Sequence, residues 1–176
     1  MKNIDITEDF LPVNFAIATI SDTRKKENDK SGDILNEQIS KSGHKVIIRV
    51  IIPDDISEIE SFLLSQIKSN KVNVIITTGG TGLTGRDSTP EAVKNIIEKE
   101  IEGFGELFRM ISYEKIGASS LQSRAIAGIA KGTFIFSIPG SPSACIDAWE
   151  NILKFQLDSR FKPCNLIELI PRLLEK

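Results

Sequence analysis

Histidine and cysteine are scarce in this 176-residue chain, which contains one histidine, His44, and two cysteines, Cys145 and Cys164. The cysteines are far outside any CxxC spacing, and His44 has no Cys or His companion nearby in the sequence. A zinc site or a disulfide framework is therefore not expected. Because His44 follows Gly43 in a predicted turn, we expect its side chain to be solvated.

Long apolar runs and an excess of positive charge are also missing. No window approaches the ~18 uninterrupted apolar residues of a membrane helix, and 22 basic against 24 acidic residues give a formal net charge of −2. Neither nucleic acid nor a membrane is therefore an expected partner. Asp5, Glu8 and Asp9 stand where a signal peptide would be basic and then apolar, so we expect a cytoplasmic protein.

Short apolar segments alternate with helical patterns along the chain. Strands are predicted at residues 15–20, 46–52, 72–77 and 133–138, of which 15–20 and 72–77 have the composition of buried strands. Helices are predicted at residues 31–42, from residue 55, at about 89–100, at about 104–113 and after Pro142. This alternation predicts one α/β domain over residues 1–176, with helices on both faces of a mostly parallel sheet. Ligands of such sheets collect at the carboxyl ends of the strands.

The most informative segment is the glycine-rich stretch at residues 77–91, directly after the third predicted strand. Its glycines let the backbone approach a ligand closely and turn successive N–H groups toward an anion. We expect Thr89 to cap the following helix and Pro90 to be its first residue. The segment therefore predicts a site for a phosphorylated ligand, with these candidate contacts: Thr78, Gly79, Gly80, Thr81 and Gly82.

Simpler interpretations of this segment are a tight turn and a familiar nucleotide motif. A turn needs one or two glycines, whereas this loop has four within seven positions. Gly80 and Gly85 have the P-loop spacing, but Arg86 and Asp87 stand where Lys and Ser/Thr would bind phosphate and magnesium. The loop also satisfies G-x-G-x-x-G, which leaves a nicotinamide-dependent oxidoreductase as the weakest alternative, because the match follows the third strand.

Carboxylates and hydroxyls at neighbouring strand ends complete the candidate site. Asp87 follows the glycine loop, where a carboxylate beside phosphates favours Mg²⁺, although helix capping is its simpler role. Asp54 and Asp55 end the second strand; we expect Asp55 to cap the next helix and Asp54 to face the cleft, with a place in a surface turn as the alternative for Asp54. A second strand-to-helix turn offers Pro139, Gly140 and Ser141, and a third polar loop offers Ser21, Asp22 and Ser31.

Together with residues 138–142 and 29–32, the glycine loop resembles the molybdopterin-binding family of molybdenum cofactor biosynthesis proteins. The resemblance implies a three-layer α/β/α sandwich that binds molybdopterin, a phosphorylated pterin dithiolene. Active members use Mg-ATP to adenylylate its phosphate and release pyrophosphate. Carried over by position, residues 78–82 hold the pterin phosphate, Asp54 and Asp87 serve Mg²⁺ and the reaction, and residues 139–141 line the pocket. Ser21, Asp22 and Ser31 complete the substrate contacts.

The resemblance also implies partners and an alternative function. The family forms trimers or hexamers, so a homotrimer or homohexamer is expected, with a molybdenum insertase as a further partner. Residues 103–109, 120–124 and 148–151 are similar to the protein B branch, some of whose members depart from the carboxylate pattern. The alternative is therefore a non-catalytic molybdopterin carrier or scaffold. This chain keeps Asp54 and Asp87, which favours activity.

Overall fold

The computed structural model describes residues 3–175. Its strands are β1 (Asn3–Ile4), β2 (Asn14–Ile20), β3 (Lys45–Ile52), β4 (Val74–Thr78), β5 (Lys99–Glu100), β6 (Ile126–Ala130), β7 (Thr133–Ile138) and β8 (Phe161–Lys162). Its α-helices are α1 (Lys30–Lys41), α2 (Ile56–Ser69), α3 (Thr89–Ile96), α4 (Glu102–Ile116), α5 (Pro142–Ala148) and α6 (Lys154–Gln156). A π-helical turn (Trp149–Leu153) joins α5 to α6, and 3₁₀ turns lie at Lys26–Asn28, Gly117–Gln122 and Ile167–Arg172.

The main sheet has six strands in the order β3-β2-β4-β7-β6-β5. The first four are parallel, whereas β6 runs antiparallel to β7 and β5 antiparallel to β6. Thr78 at the end of β4 is level with Thr19 of β2 and Ile138 of β7, so these strands end at one edge. β1 and β8 form a separate antiparallel pair.

Both faces of the sheet are covered, because alternate residues of β2 belong to different cores. Phe15 and Ile17 pack with residues of α1, α4 and α5, whereas Ala16 and Ala18 pack with residues of α2 and α3. The predicted three-layer α/β/α sandwich is thereby confirmed. Between residues 3 and 175, each helix is too short or too polar to cross a membrane.

The segment from α3 to β6 differs most from the sequence prediction. The helix expected to reach about residue 100 ends at Ile96, and residues 99–100 instead pair with Gly128 and Ile129 as an edge strand. The cap position of α3 is Ser88, one residue before the predicted cap Thr89. β6 was not predicted, because its small residues give only a weak strand pattern.

The prediction for His44 was wrong. Its side chain is only 6% exposed and lies against the rings of Phe10, Phe15 and Trp149. Nδ1 accepts a hydrogen bond from the Val13 amide at 3.2 Å, so the neutral imidazole is built into the core. Burial lowers the pKa of His44 to about 4, despite the nearby carboxylate of Asp158.

Candidate functional site

A cavity of about 580 Å³ opens where β4 and β7 end. One side, which we call the loop wall, consists of residues 79–82, Asp87 and residues 139–141. The opposite side, which we call the helical wall, comes from α4, the turn after it and α5, and includes Phe108, Ser112, Lys115, Gln122, Ser143 and Asp147. The residues of the loop wall were predicted from the sequence as contacts to a ligand or a metal ion. The residues named for the helical wall were not.

The backbone of the loop wall can be built only from glycine at its tightest points. Gly79 has φ +107° and Gly80 has φ +63°, conformations that L residues rarely adopt. A Cβ atom at Gly79 would lie 2.2 Å from the Ile20 carbonyl oxygen. The Gly79 amide donates to the Ile138 carbonyl at 3.0 Å and is therefore part of the fold. The amides of Gly80 and Thr81 remain as the candidate donors to a ligand.

The two turns of the loop wall are held against each other from behind. The Thr78 hydroxyl donates to the Pro139 carbonyl at 3.0 Å, and the Thr89 hydroxyl donates to the Gly79 carbonyl at 2.9 Å. The Gly140 carbonyl accepts from the Ser31 hydroxyl at 2.7 Å and from the Arg24 guanidinium at 2.6 Å. Thr78 and Ser31 are therefore buried supports that shape the wall and do not line the cavity.

Asp87 lines the cavity at the end of the glycine loop. Its Oδ2 atom accepts hydrogen bonds from the Thr84 hydroxyl at 2.6 Å and the Thr84 amide at 2.9 Å. The hydrogen bond from the Thr84 hydroxyl is the main reason that the pKa of Asp87 is lowered. Asp87 is therefore a carboxylate at neutral pH. A Cβ at Gly82 would lie 2.7 Å from Oδ2, so glycine is what lets the carboxylate approach the loop.

Asp54 and Asp55 have separate roles, of which the helix cap at Asp55 agrees with the sequence prediction. Asp55 caps α2 by accepting from the amides of Ser57 and Glu58 at 2.9 and 3.2 Å. Asp54 Oδ1 accepts from the Ser88 amide at 3.0 Å and the Ser88 hydroxyl at 2.7 Å. Its Oδ2 atom lies beside Gly80, 2.5 Å from where a Cβ would be. Asp54 thus touches the glycine loop but does not line the cavity.

The third polar loop lies outside the cavity lining. The Ser21 hydroxyl accepts a hydrogen bond from the Arg24 amide at 3.1 Å, which orients the arginine that reaches Gly140. Asp22 accepts from the Asp54 amide at 3.1 Å and forms an ion pair with Arg86. Of the predicted contacts, the cavity brings together the following: Gly79, Gly80, Thr81, Gly82, Asp87, Pro139, Gly140 and Ser141.

Two charged residues of the helical wall were missed by the sequence analysis. Lys115 of α4 forms an ion pair with Asp147 of α5, whose side chain is only 9% exposed. Among the described residues that line the cavity, Lys115 is the only basic one. Sequence periodicity shows which helix face is apolar but not which polar residue meets a cleft, so no signal pointed to this pair.

The cavity fits a magnesium ion that is bound together with a phosphorylated ligand. Within residues 3–175, no cluster of three or more His, Cys, Asp or Glu side chains is arranged to hold a metal ion. Mg²⁺ is nevertheless usually bound by one or two carboxylates together with substrate phosphates and water. The ionised Asp87 carboxylate beside the loop amides matches that donor set.

The fold and the cavity together define a class of protein. A three-layer α/β domain that presents glycine-loop amides at the carboxyl ends of parallel strands belongs with domains that bind small anionic ligands. A family model described as "Probable molybdopterin binding domain" matches residues 16–159. The chain belongs to this molybdopterin-binding family of molybdenum cofactor biosynthesis proteins.

Individual relatives agree with this assignment. The chain is 46% identical over 160 residues to molybdenum cofactor biosynthesis protein B of Escherichia coli strain K12, covering 91% of this chain and 94% of that one. It is 40% identical over 140 residues to a "Probable molybdopterin adenylyltransferase" of Methanocaldococcus jannaschii, covering 76% and 83%. A crystal structure of molybdenum cofactor biosynthesis protein B superposes with a TM-score of 0.83 at 45% identity, covering 85% and 94%.

Proposed function

We propose that this chain binds molybdopterin in the cavity and adenylylates its phosphate with Mg-ATP. The observation that carries the proposal is that the ionised Asp87 carboxylate lines the same cavity as Gly80 and Thr81, whose amides are the candidate donors to a phosphate. The loop wall then contains both hydrogen-bond donors for a phosphate and a carboxylate that can bind the cation that accompanies it. The name of the Methanocaldococcus jannaschii relative supports this reaction, which takes place in the cytoplasm in our proposal.

The reaction transfers an adenylyl group between two phosphates. An oxygen of the molybdopterin phosphate attacks the α-phosphorus of ATP, and the bond from that phosphorus to the bridging oxygen breaks. Pyrophosphate leaves with the electron pair, and adenylyl-molybdopterin remains. No strong base is needed, because the attacking phosphate is already an anion; orientation and charge neutralisation are the catalytic requirements.

The residues of the loop wall supply orientation and charge in this proposal. The amides of Gly80 and Thr81 and the Thr81 hydroxyl hold the molybdopterin phosphate, while Pro139 and Ser141 shape the pocket beside it. Asp87 would hold Mg²⁺, which when bound neutralises the phosphate charges, whereas Asp54, which the sequence also assigned to Mg²⁺, supports the glycine loop from outside the cavity lining. Thr78, Ser31, Ser21 and Asp22 act by supporting the loops, as their hydrogen bonds suggest.

Release of pyrophosphate tests the proposal. With Mg-ATP and molybdopterin together, we expect turnover by the wild-type chain and none with either substrate alone. Asp87→Asn removes the negative charge at nearly constant volume, so turnover should fall by about 100-fold or more. Asp9→Asn is the matched control, because Asp9 is exposed and does not line the cavity. Unchanged turnover in Asp87→Asn would refute the role of this carboxylate.

The second candidate is a molybdopterin carrier or scaffold without catalysis. It is favoured by the position of Asp54, which is bonded to Ser88 and leaves Asp87 as the only one of the two predicted acids that lines the cavity. A carrier would bind molybdopterin without consuming ATP and pass it to another protein, such as a molybdenum insertase. Sedimentation of the purified chain would show whether it forms the homotrimer or homohexamer that we propose for either function.

A further inference from the structure

The turn that carries Asp87 into the cavity wall projects into open space at its tip. Residues 83–86 are exposed, and the Leu83 side chain is 67% exposed. A Cβ added at Gly85 would meet nothing within 4 Å, so open space surrounds the tip of the turn. Within the turn, the Asp87 amide donates to the Thr84 carbonyl at 3.0 Å. The turn is tied to the rest of the fold by the ion pair between Arg86 and Asp22 and by contacts at its two ends.

One side chain from a distant part of the sequence reaches both ends. Arg124, which precedes β6, donates from Nε to the Gly82 carbonyl at 2.7 Å and from Nη2 to the Asp87 carbonyl at 2.7 Å. Its Nη1 atom forms an ion pair with Glu91 of α3. The planar guanidinium thus fixes the two ends of the turn relative to each other and to the helix that follows.

The peptide bond between Asp87 and Ser88 is held from both of its edges. Its carbonyl oxygen accepts from Arg124, and its N–H donates to Asp54 Oδ1 at 3.0 Å. The carbonyl and N–H of a trans peptide point in opposite directions within one plane. Rotation of this peptide would therefore break a charge-assisted hydrogen bond on each side.

We propose that Arg124 is a positioning residue that, with Asp54 on the opposite edge, clamps the Asp87–Ser88 peptide and so fixes the Asp87 carboxylate on the cavity wall. The proposal deepens the proposed function, on which it rests for the identity of the ligand. Arg124 itself does not line the cavity, although the preceding residue, Ser123, does. Lysine should replace it only in part, because an ammonium group keeps the charge but lacks the fork that spans two carbonyls.

Hydrogen exchange of the ligand-free chain tests the clamp without any assumption about activity. In Arg124→Gln, the amides of residues 83–88 should exchange about 10-fold faster or more, because two charge-assisted hydrogen bonds are lost. Arg124→Lys keeps the charge and should lie between Arg124→Gln and wild type. Arg172→Gln is the matched control, because Arg172 is exposed and pairs only locally with Glu175. If Arg124→Gln does not fold, Arg124→Lys and Glu91→Gln provide the same comparison.

Ligand measurements then separate positioning from a general structural role. In Arg124→Gln, the Kd for molybdopterin should rise by about 10-fold, and kcat for pyrophosphate release should fall more than the KM for ATP rises. Rescue of Arg124→Ala by millimolar guanidinium would support the clamp directly. If the wild-type chain shows no turnover, the adenylylation proposal fails. Amide hydrogen exchange and molybdopterin binding would still decide whether Arg124 positions Asp87. Wild-type exchange and wild-type affinity in Arg124→Gln and Arg124→Lys would overturn the proposal for Arg124.

Discussion

The two walls of the cavity are built on different principles. The loop wall presents backbone amides, and its shape depends on glycine conformations at Gly79 and Gly80. The helical wall presents side chains, among them the ion pair between Lys115 and Asp147. One wall is therefore fixed by local chain geometry, and the other by how α4 and α5 pack on the sheet.

This difference suggests a division of work in ligand binding. Backbone amides that are held by surrounding hydrogen bonds suit a phosphate group, because they donate to its anionic oxygens from fixed positions. Side chains on helices vary more readily and can discriminate the rest of the molecule. We therefore expect changes in the loop wall to abolish binding and changes in the helical wall to reduce affinity by degrees.

The largest effect should come from Gly79→Ala in the loop wall. The new methyl group would be 2.2 Å from the Ile20 carbonyl oxygen, at a residue with φ +107°. Strain and the clash with the backbone should together cost about 4 kcal/mol of folding stability and abolish molybdopterin binding. Urea unfolding and a binding titration measure the two effects.

Gly85→Ala, in the same loop, is the control for that substitution. Nothing lies within 4 Å of its added Cβ, so stability should change by less than about 1 kcal/mol. If Gly79→Ala is as harmless as Gly85→Ala, the loop wall does not have the tight geometry described above.

The second-largest effect should be a loss of folding stability at low pH, caused by His44 in the core beside Phe15 and Trp149. The pKa of His44 is about 4 when folded and near 6.5 when unfolded, so the unfolded chain binds the extra proton between these values. Stability should be full above pH 6.5 and fall by roughly 3 kcal/mol as the pH drops to 4. Urea unfolding at several pH values, followed by Trp149 fluorescence, measures this loss.

The variant His44→Gln should flatten that pH dependence between pH 6.5 and 4, because no imidazole remains to be protonated. Trp149 directly follows α5, which carries Asp147 of the helical wall. Both walls should therefore be lost at the same midpoint, as measured by amide exchange. Loss of one wall at a higher pH than the other would contradict a shared core.

The smallest effect should come from Lys115→Met in the helical wall. This substitution removes the only basic side chain among the described lining residues while keeping much of its length. Affinity for molybdopterin should fall by about 10-fold, with a smaller loss at high salt, because the lost interaction is between charges. Titrations at two salt concentrations measure this change.

The double variant Lys115→Met, Asp147→Asn separates ligand affinity from folding. Lys115→Met alone leaves the largely buried Asp147 without its partner, and the second substitution removes that unpaired charge. Stability should recover in the double variant, while affinity should stay low. Recovery of affinity together with stability would indicate that Lys115 acts only through the fold.

The sequence predicted the loop wall better than the helical wall for a physical reason. Glycine can adopt backbone conformations that other residues rarely adopt, so glycines after an apolar strand indicate a tight loop from residue type alone. Residues 79–82 could therefore be identified directly. The antiparallel edge of β5 and β6 was missed, because those strands are defined by pairing across the sheet. His44 was misplaced, because its burial depends on Phe10 and Trp149, which are distant in the sequence.

The role of Arg124 could not be predicted either, because it also depends on contacts between residues that are distant in the sequence. Its segment was noted only as part of a resemblance, and nothing in residues 120–124 reveals that the guanidinium spans the carbonyls of Gly82 and Asp87. Arg124 reaches these two carbonyls only because the strand that follows it, β6, pairs with β7 in the folded sheet. Contacts between residues that are 37 and 42 positions apart cannot be inferred from local patterns.

A crystal structure of the chain with molybdopterin would test the central claim most directly. We expect the phosphate oxygens to lie within hydrogen-bonding distance of the Gly80 and Thr81 amides, with the Asp87 carboxylate close enough to share a cation with them. The pterin should extend toward Lys115 and Asp147. A phosphate bound at the helical wall, with the loop amides unoccupied, would contradict the account.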